Sequence, residues 1–373
     1  FAMSRLMRLS VGLLVFAATV LSIPHVLKKD SENLQRPQRS GNNVKGVLDS
    51  DQVTSFEEFK TKFAKTYSDD IDSKMRREIF EENLDYISKH NAAYMNGDET
   101  FWLRMNHLGD LTRAEYRKML GFRPSGPRGP LSAGNCTHEA LAPNATVDWR
   151  SAGAVTNVKD QGQCGSCWAF SATGAIEGAW ALARGQLVGV SEEEIVQCDT
   201  GNGDYGCNGG NMYKAFQYVI DNGGAASEAM YPYLSGNGTT GRCAALFPAF
   251  QAPVATVSAF CMVKAGDEAD LERAVNQQPV SVGIEADQKA FQFYGGGILP
   301  AKRCGVNLDH GVLLVGYGYE RDSNASLSMK YWTVKNSWGP AWGDDGYIRL
   351  EKFPASVDHS TCGIALDASY PIV

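Results

Sequence analysis

The sequence predicts an α+β fold for the larger part of the chain. The chain has 373 residues, of which 43% are apolar and 21% charged, so a sizeable core can form. From Pro143 onward, helical periodicity comes first, in the runs Cys167 to Arg184 and Met212 to Asn222. Strand-like runs follow: PVSVGIEA, HGVLLVGYGYE, KYWTVKNSW and GYIRLEK. Because helices precede strands instead of alternating with them, we expect two subregions and no doubly wound parallel sheet.

The first residues are typical of a secretory signal peptide. Arg5 and Arg8 precede an apolar run, Val11 to Leu21, that ends near the small residue Ser22. An uncleaved anchor is the weaker alternative, because a membrane span needs about 20 apolar residues. We expect a signal peptide over 1–22, entry into the secretory pathway and no stable membrane association after cleavage.

A separate leader follows over residues 23–141. Its helical part, about 53–122, spaces apolar residues three and four apart: Phe56, Phe59 and Phe63, then Phe80, Leu84 and Ile87. Residues 123–141 are rich in Pro and Gly, which indicates an exposed linker where proteolysis concentrates.

Charge divides the chain into two unlike parts. Residues 1–141 carry 20 basic and 18 acidic side chains, whereas residues 142–373, the body, carry 15 basic and 24 acidic ones. An acidic body argues against nucleic acid as a partner and fits a leader that docks on it. Charge alone is equally consistent with the simpler interpretation, in which the acidic surface only keeps the body soluble.

The stretch QGQCGSCWAF holds Cys164 and Cys167 in a C-x-x-C spacing. A redox dithiol would follow a strand within a βαβ unit, and no such pattern surrounds these residues. Zinc would need two further ligands; Cys198 and Cys207 are available, but disulfides are more plausible in a secreted chain. In the third interpretation Cys167 begins a helix, whose positive dipole end stabilises a thiolate nucleophile.

A thiolate nucleophile needs a base and a group that orients the base. Of the histidines in the body, His310 opens an apolar, β-rich run that would hold it rigidly, whereas His359 lies in a polar loop. Asn336 is the candidate orienting group, and Trp338 can cover its hydrogen bond to the imidazole.

These motifs carry a resemblance to the papain family of cysteine proteases. CGSCW is a known local signature of papain and the cathepsins, and His310 lies 143 residues after Cys167, within the family's spacing of about 130–150 residues. Matching stretches cover essentially the whole body: VDWRSAGAVTNVKDQGQCGSCWAFSATGAIEG, GCNGGNM, QPVSVGIEA, LDHGVLLVGYG, KNSWGPAWGDDGYIRL and CGIALDASYP. The resemblance implies a two-lobe fold, with a helical lobe, a β-barrel-like lobe and the active-site cleft between them.

The resemblance also implies the site residues. The catalytic set is Cys167, His310, Asn336 and Gln161, the last as a side-chain donor to the oxyanion hole beside the backbone N–H of Cys167. The substrate-binding set is Gly209, Gly210, Asn211, Met212, Gly283, Leu308, Asp309, Gly311, Trp338 and Asp367. We expect leucine or phenylalanine at P2, the substrate residue two before the scissile bond, and arginine there if Asp367 faces the pocket instead of solvent.

The cysteines outside the active site are assigned by the same resemblance. It pairs Cys164 with Cys207, Cys198 with Cys243 and Cys304 with Cys362. Cys261 is then expected to be a buried free thiol, and Cys136 to leave with the linker. The sequons Asn135, Asn144, Asn237 and Asn324 predict glycosylation of the chain in the secretory pathway.

The leader resembles the inhibitory propeptide of the cathepsin L-like branch. Arg76, Phe80, Asn83, Ile87 and Asn91 have the spacing of the ERFNIN motif, with Asp72 in place of its glutamate. A second motif is altered in RMNHLGD: Asn106 and Asp110 match it, but Arg104 and Leu108 replace glycine and phenylalanine. We expect acid to release the leader by protonating carboxylates such as Asp72 and Asp110, which would then lose ion pairs to nearby arginines.

The sequence therefore predicts a cysteine endopeptidase made as a zymogen, cut near Ala142 and delivered to a lysosome, a vacuole or the extracellular space. The short segment between Cys198 and Cys207 leaves no room for an occluding insertion, so the cleft would be open. Expected partners are protein and peptide substrates and the protein's own leader, with cystatin-like inhibitors a further possible class. We expect a monomer without metal or cofactor. The alternative is an inactive secreted binding protein on the same fold.

Overall fold

The computed structural model describes residues 52–124, 136, 143–244, 253–321, 328–353 and 360–373. The expected signal peptide, the sequons Asn135 and Asn324, His359 and the expected cut near Ala142 lie outside these residues. Among the described residues, no helix is both long and apolar enough to cross a bilayer.

Residues 52–124, here called the leader domain, contain the two predicted helices. The elements are α1 (Phe56–Lys62), α2 (Asp70–Met95), β1 (Phe101–Leu103) and α3 (Arg113–Lys118). Each helix begins at a side-chain cap, since Ser55, Asp69 and Thr112 accept hydrogen bonds from backbone N–H groups of the first turn. Their buried faces include the predicted apolar residues Phe56, Phe59, Phe80 and Ile87.

The helices of the body lie mostly in its first half. They are α4 (Cys167–Arg184), α5 (Glu192–Cys198), α6 (Met212–Asp221), α7 (Glu268–Val275) and α8 (Lys289–Gln292). Single 3₁₀ turns occupy Gly206–Asn208, Ser235–Asn237, Ala301–Arg303 and Thr361–Gly363. Helix α4 has the predicted bounds and ends at Gly185, whose φ of 70° is a left-handed conformation that glycine adopts without strain.

The strands of the body are β2 (Val147–Asp148), β3 (Ala259–Met262), β4 (Val280–Ile284), β5 (Tyr294–Gly297), β6 (His310–Arg321), β7 (Ser328–Lys335), β8 (Tyr347–Glu351) and β9 (Ala368–Ile372). Seven of them form one sheet in the order β3-β9-β4-β6-β7-β8, with β2 paired to β6, and every pair is antiparallel. Among the described strands this path stays open, so the lobe is an open antiparallel sheet and not a closed barrel. Strand β5 instead pairs with β1, which joins the leader domain to the body.

Two apolar cores confirm the predicted subregions. One joins the sheet to the leader domain and includes Phe59, Phe80, Phe291 and Trp338. The other lies among helices α4, α5 and α6. The N-terminus of α4 and the start of β6 meet between these cores.

The structure contains the expected disulfides Cys164–Cys207, Cys198–Cys243 and Cys304–Cys362. A fourth disulfide joins Cys136 to Cys261. The expectation of a free thiol at Cys261 is therefore wrong, and departure of Cys136 with the linker stays a prediction. Cys261 is buried on β3, and its disulfide partner, Cys136, lies 125 positions earlier in the chain.

Candidate active site

Cys167 is the first residue of α4 and the only free cysteine among the described residues. It is fully buried, and its Sγ accepts hydrogen bonds from the backbone N–H groups of Gly311 and Gly121, each at 3.3 Å. Gly311 belongs to the body, whereas Gly121 belongs to the leader domain. The thiol is thus held at a helix N-terminus and covered by the leader.

His310 is the first residue of β6 and precedes the Gly311 amide that contacts Cys167. The Nε2 atom of His310 lies 2.8 Å from Oδ1 of Asn336, which also accepts the N–H of Ser337. Because Oδ1 can only accept, this contact assigns the ring proton to Nε2 and leaves a lone pair on Nδ1. Among the described residues Nδ1 has no hydrogen-bond partner. The Trp338 ring stacks on the imidazole at 4.8 Å between centroids.

Burial opposes charge on both groups in this closed form. It raises the pKa of Cys167 to about 11, against the hydrogen bonds from Gly311 and Gly121. It lowers the pKa of His310 to about 4, although the hydrogen bond to Asn336 favours the protonated ring. The helix dipole that was expected to stabilise a thiolate is outweighed by desolvation, so the pair is neutral while the leader domain covers it.

The leader crosses the site as an extended segment. The N–H of Gly210 donates to the carbonyl of Gly121 at 2.9 Å, and the N–H of Arg123 donates to the carbonyl of Gly210 at 2.9 Å. The N–H of Phe122 donates to the carbonyl of Asp309, also at 2.9 Å. Sequence reasoning named Gly210 and Asp309 but not the leader residues that contact them. The only signal for these was the position of Phe122 as the last apolar residue before the Pro/Gly-rich linker.

Gly121 fits here because it has no side chain. A Cβ at this position would lie 1.8 Å from the carbonyl oxygen of Gly165, within the backbone turn that leads into α4. Gly209 also lies close to this segment, since a Cβ there would lie 2.5 Å from the carbonyl oxygen of Gly121. The segment is therefore in close backbone contact with the body at Gly165 and Gly209.

Gln161 is engaged by the leader domain as well. Its Nε2 donates to the carbonyls of Met119 and Cys164, at 2.8 and 2.7 Å, while Ser337 Oγ donates to its Oε1 at 2.6 Å. The amide orientation is thus fixed by Ser337. The Met119 carbonyl of the leader thus accepts a hydrogen bond from Gln161 Nε2, the donor that the sequence analysis assigned to the oxyanion hole.

Phe122 fills a pocket beside the thiol and is 5% exposed. It belongs to the apolar core that contains Met212, against which Leu308 also packs. A Cβ at Gly283 would lie 2.6 Å from a ring carbon of Phe122, so this glycine makes room for the ring. The N–H of Gly283 donates to the backbone carbonyl of Asp367 at 2.7 Å.

The remaining predicted residues of this pocket surround the same place. Asn211 donates from Nδ2 to the carbonyl of Arg123 at 3.1 Å, and a Cβ at Gly311 would lie 3.1 Å from the sulfur of Met212. The side chain of Asp367 is buried, so it does not turn to solvent. The structure thus brings the predicted substrate-binding residues together around a leader segment.

The two acidic residues expected to trigger release lie inside the leader domain. Asp72 pairs with Arg76 at 3.2 Å, as expected. Asp110 pairs with Lys65 at 2.9 Å instead of with an arginine side chain, and it accepts the hydroxyl of Tyr67 at 3.0 Å. At Asp110, the Arg76 guanidinium contacts the backbone carbonyl and not the carboxylate. Its shortest ion pair is with Glu115, at 2.7 Å.

Sequence reasoning missed the ion pairs between the leader domain and the body. Arg113 and Arg117 both reach Asp287, Lys289 pairs with Glu82, and Arg303 pairs with Glu99. The charge balance of the two parts could not place these pairs, since in two of them the acidic residue belongs to the leader domain.

Comparison with known proteins places these features in a family. The model of the Papain family cysteine protease matches residues 143–372, and that of the Cathepsin propeptide inhibitor domain (I29) matches residues 56–116. Senescence-specific cysteine protease SAG39 of Oryza sativa subsp. japonica is 42% identical over 328 residues, which is 87% of this chain and 91% of that protein. Cysteine proteinase EP-B 1 of Hordeum vulgare is 46% identical over 299 residues, which is 79% of this chain and 77% of that one.

Solved structures agree with the sequence comparisons. Digestive procathepsin L 3 of the Tenebrio molitor larval midgut superposes with a TM-score of 0.73 at 39% identity, over 85% of this chain and 97% of that chain. The chain therefore belongs to the papain family of cysteine proteases and is made with a cathepsin-type inhibitory propeptide.

Proposed function

We propose that the protein is an endopeptidase whose catalytic group is the Cys167 thiol, with His310 as base and Asn336 as the residue that orients the base. One observation carries the proposal: the free thiol heads α4 beside the residue that follows His310, and the imidazole donates to Asn336 at 2.8 Å. The relatives' names, which are those of cysteine proteases, favour an active enzyme over the inactive binding protein.

Removal of the leader domain would allow the chemistry to start. The Cys167 thiol transfers its proton to Nδ1 of His310, and Sγ attacks the substrate's peptide carbonyl. Gln161 Nε2, released from the Met119 carbonyl, donates to the oxyanion together with the Cys167 backbone N–H. His310 then protonates the leaving amine as the C–N bond breaks, which leaves a thioester. Water, deprotonated by His310, attacks the thioester and releases the carboxylic acid product and the thiol.

Substitution at the thiol tests the proposal. We expect Cys167→Ser to fold and be secreted but to lose peptide hydrolysis, since the hydroxyl is a far poorer nucleophile at this site. His310→Ala should do the same, whereas Asn336→Ala should keep a reduced rate, because the ring loses its orientation and not its base. Hydrolysis by Cys167→Ser at the wild-type rate would overturn the assignment.

For specificity, we propose that the pocket filled by Phe122 receives the P2 side chain of the substrate. The supporting observation is that an aromatic ring already sits against Gly283 in a pocket that contains Met212. Burial of a leucine or phenylalanine side chain there would contribute roughly 1.5–3 kcal/mol.

Asp367 adds a second specificity in this proposal. Its side chain is buried and its backbone carbonyl accepts the N–H of Gly283, so in this proposal the carboxylate lies within reach of a P2 arginine. We expect Asp367→Asn to lower kcat/KM for a P2 arginine substrate by about tenfold, or about 1.4 kcal/mol, and to spare a P2 leucine substrate. An equal effect on both substrates would rule out this role.

We further propose a secretory route to a lysosome, a vacuole or the extracellular space, with a cut near Ala142 and a monomeric product. Four disulfides and two exposed sequons, Asn144 and Asn237, support an oxidising route. A mass loss on treatment with an N-glycosidase, absent from the Asn144→Gln/Asn237→Gln pair, would locate the glycans. Cystatin-like inhibitors are expected to compete with the leader for the same cleft.

A further inference from the structure

The disulfide between Cys136 and Cys261 has no role in the chemistry proposed above. Cys261 lies on β3 opposite Tyr370 of β9 and is fully buried. Cys136 is partly buried and packs against the same apolar core. The bond therefore joins the linker covalently to the sheet of the body.

We propose that this disulfide is a tether that keeps the segment around Cys136 attached to the body after the precursor has been cut. The inference depends on the proposed processing near Ala142. Cys136 lies on the leader side of that cut, so hydrolysis of one peptide bond there divides the chain without separating its parts. After a cut at this position, a second bond must break before the leader domain is free.

The tether changes how the leader inhibits. An untethered leader domain would diffuse away from enzyme at nanomolar concentration once acid had weakened its contacts. A domain held by a linker instead has an effective concentration of roughly millimolar near its site, so it rebinds when the pH is raised. Permanent activation then requires a second bond to break, either in the chain between the leader domain and Cys136 or in the disulfide itself.

Two reactions can supply that event. A second peptide cut between residues 124 and 136 would release the leader domain and leave a short peptide on β3. Alternatively, a dithiol reductant could attack one sulfur of the bond, form a mixed disulfide and close into its own cyclic disulfide. Cys136 and Cys261 would then each gain a hydrogen, and the linker would come away.

The test compares masses before and after reduction. The secreted full chain is activated in acid without reductant, Cys167 is blocked with a small alkylating agent, and the intact mass and N-terminal sequences are determined. We expect the processed, active enzyme to retain residue 136 bound to Cys261, as a second peptide that reduction releases. A body that begins before Cys136 would instead show that one cut frees the leader domain and that the disulfide is no tether. A processed enzyme that lacks residue 136, with Cys261 already alkylated before reduction, would overturn the proposal.

Matched variants separate the tether from folding and from activity. Cys136→Ser should leave the other three disulfides and hydrolysis of a peptide substrate intact. After acid cutting and return to neutral pH, this variant should stay active on dilution, whereas the wild type should be inhibited again at least tenfold. Equal behaviour of the two would contradict the tether. If the secreted chain is neither cut nor active, the proposed function fails, while disulfide mapping of the uncut chain still tests the bond.

Discussion

The neutral pair at the active site shows how single residues depend on the leader domain. Cys167 and His310 lie on neighbouring elements, since the N–H of Gly311, which follows His310, donates to the thiol, but burial has moved the pKa of each in the direction that disfavours the ion pair. The types and order of these residues could be predicted from CGSCW, LDHG and KNSWG. Their protonation could not, since it depends on which side chains exclude water from the cleft.

Alkylation of Cys167 should therefore report removal of the leader domain. A fall of two units in the thiol pKa would raise the thiolate fraction at pH 7 about a hundredfold. We expect a neutral alkylating agent to modify Cys167 at least that much faster in the processed enzyme than in the precursor. Peptide mapping after timed quenching would give both rates, and equal rates would mean that the leader does not control the thiol.

Gly283 should set the size of the P2 pocket. A methyl group at this position would overlap the place that the Phe122 ring occupies. We expect Gly283→Ala to lower kcat/KM for a P2 phenylalanine substrate by about tenfold and to affect a P2 valine substrate far less. The ratio of the two kcat/KM values is the measurement, and an unchanged ratio would place the pocket elsewhere.

The long helices could be located from the sequence pattern, whereas the short strands form because of the residues that pack against them. The spacing of Phe80, Leu84 and Ile87 located α2, and the run from Cys167 to Arg184, closed by Gly185, located α4. Strands β1 and β5 have three and four residues, and β5 is YGGG, which has no strand propensity of its own. These strands pair because Trp102 packs onto Gly295 and Gly296, where a Cβ would lie 2.3 and 2.8 Å from the indole.

Helix α2 carries a candidate pH sensor at its buried end. His90 is 8% exposed, and its Nε2 lies 3.0 Å from the carbonyl of Phe101 on β1. Burial lowers the pKa of His90, while the hydrogen bond to Phe101 opposes the shift; Glu99 favours the charged form, and Arg303 and Lys302 disfavour it. A lowered pKa in the folded state means that the leader loses stability as the pH falls below about 6.5, the unfolded value.

We therefore expect His90→Gln to need a lower pH for activation than the wild type, because glutamine can keep the hydrogen bond but does not titrate in this range. The measurement is the pH at which half of the precursor is processed in a fixed time. Lys89→Gln, at the exposed neighbour of His90, is the control and should match the wild type. Superimposable profiles for all three proteins would exclude His90 as a sensor.

For the whole molecule, ion pairs of both polarities join the leader domain to the body. Arg113 and Arg117 of the leader domain reach Asp287, whereas Lys289 and Arg303 of the body reach Glu82 and Glu99. The carboxylate of Asp287 faces both Arg113 and Arg117, and although its burial raises the pKa, hydrogen bonds from these arginines outweigh that effect and lower it. Composition left two interpretations equally open, a leader that docks on the body and a body that its acidic surface keeps soluble. It could not indicate Cys136–Cys261, because two cysteines 125 residues apart carry no local signal of pairing.

Asp287→Asn should weaken the hold of the leader domain and reduce its sensitivity to salt. Exposed pairs contribute up to about 1 kcal/mol each and are screened by salt, so we expect activation a few times faster at low ionic strength and little change at high ionic strength. Glu320→Gln is the control, since its pair with Arg349 lies within the body. Activation rates of Asp287→Asn that match those of the control at both ionic strengths would contradict the prediction.

The missing side chain at Gly121 has a consequence for inheritance. Nearly every single-base change that alters this codon's amino acid would place atoms where the Gly165 carbonyl lies, 1.8 Å from a Cβ. Such an allele would leave the enzyme's own residues untouched and damage only its restraint. The effect would be excessive proteolysis instead of a loss of activity. One altered gene copy would suffice, because the uninhibited protease cleaves its substrates whichever copy encodes them. At this position, then, a missense change is expected to be dominant.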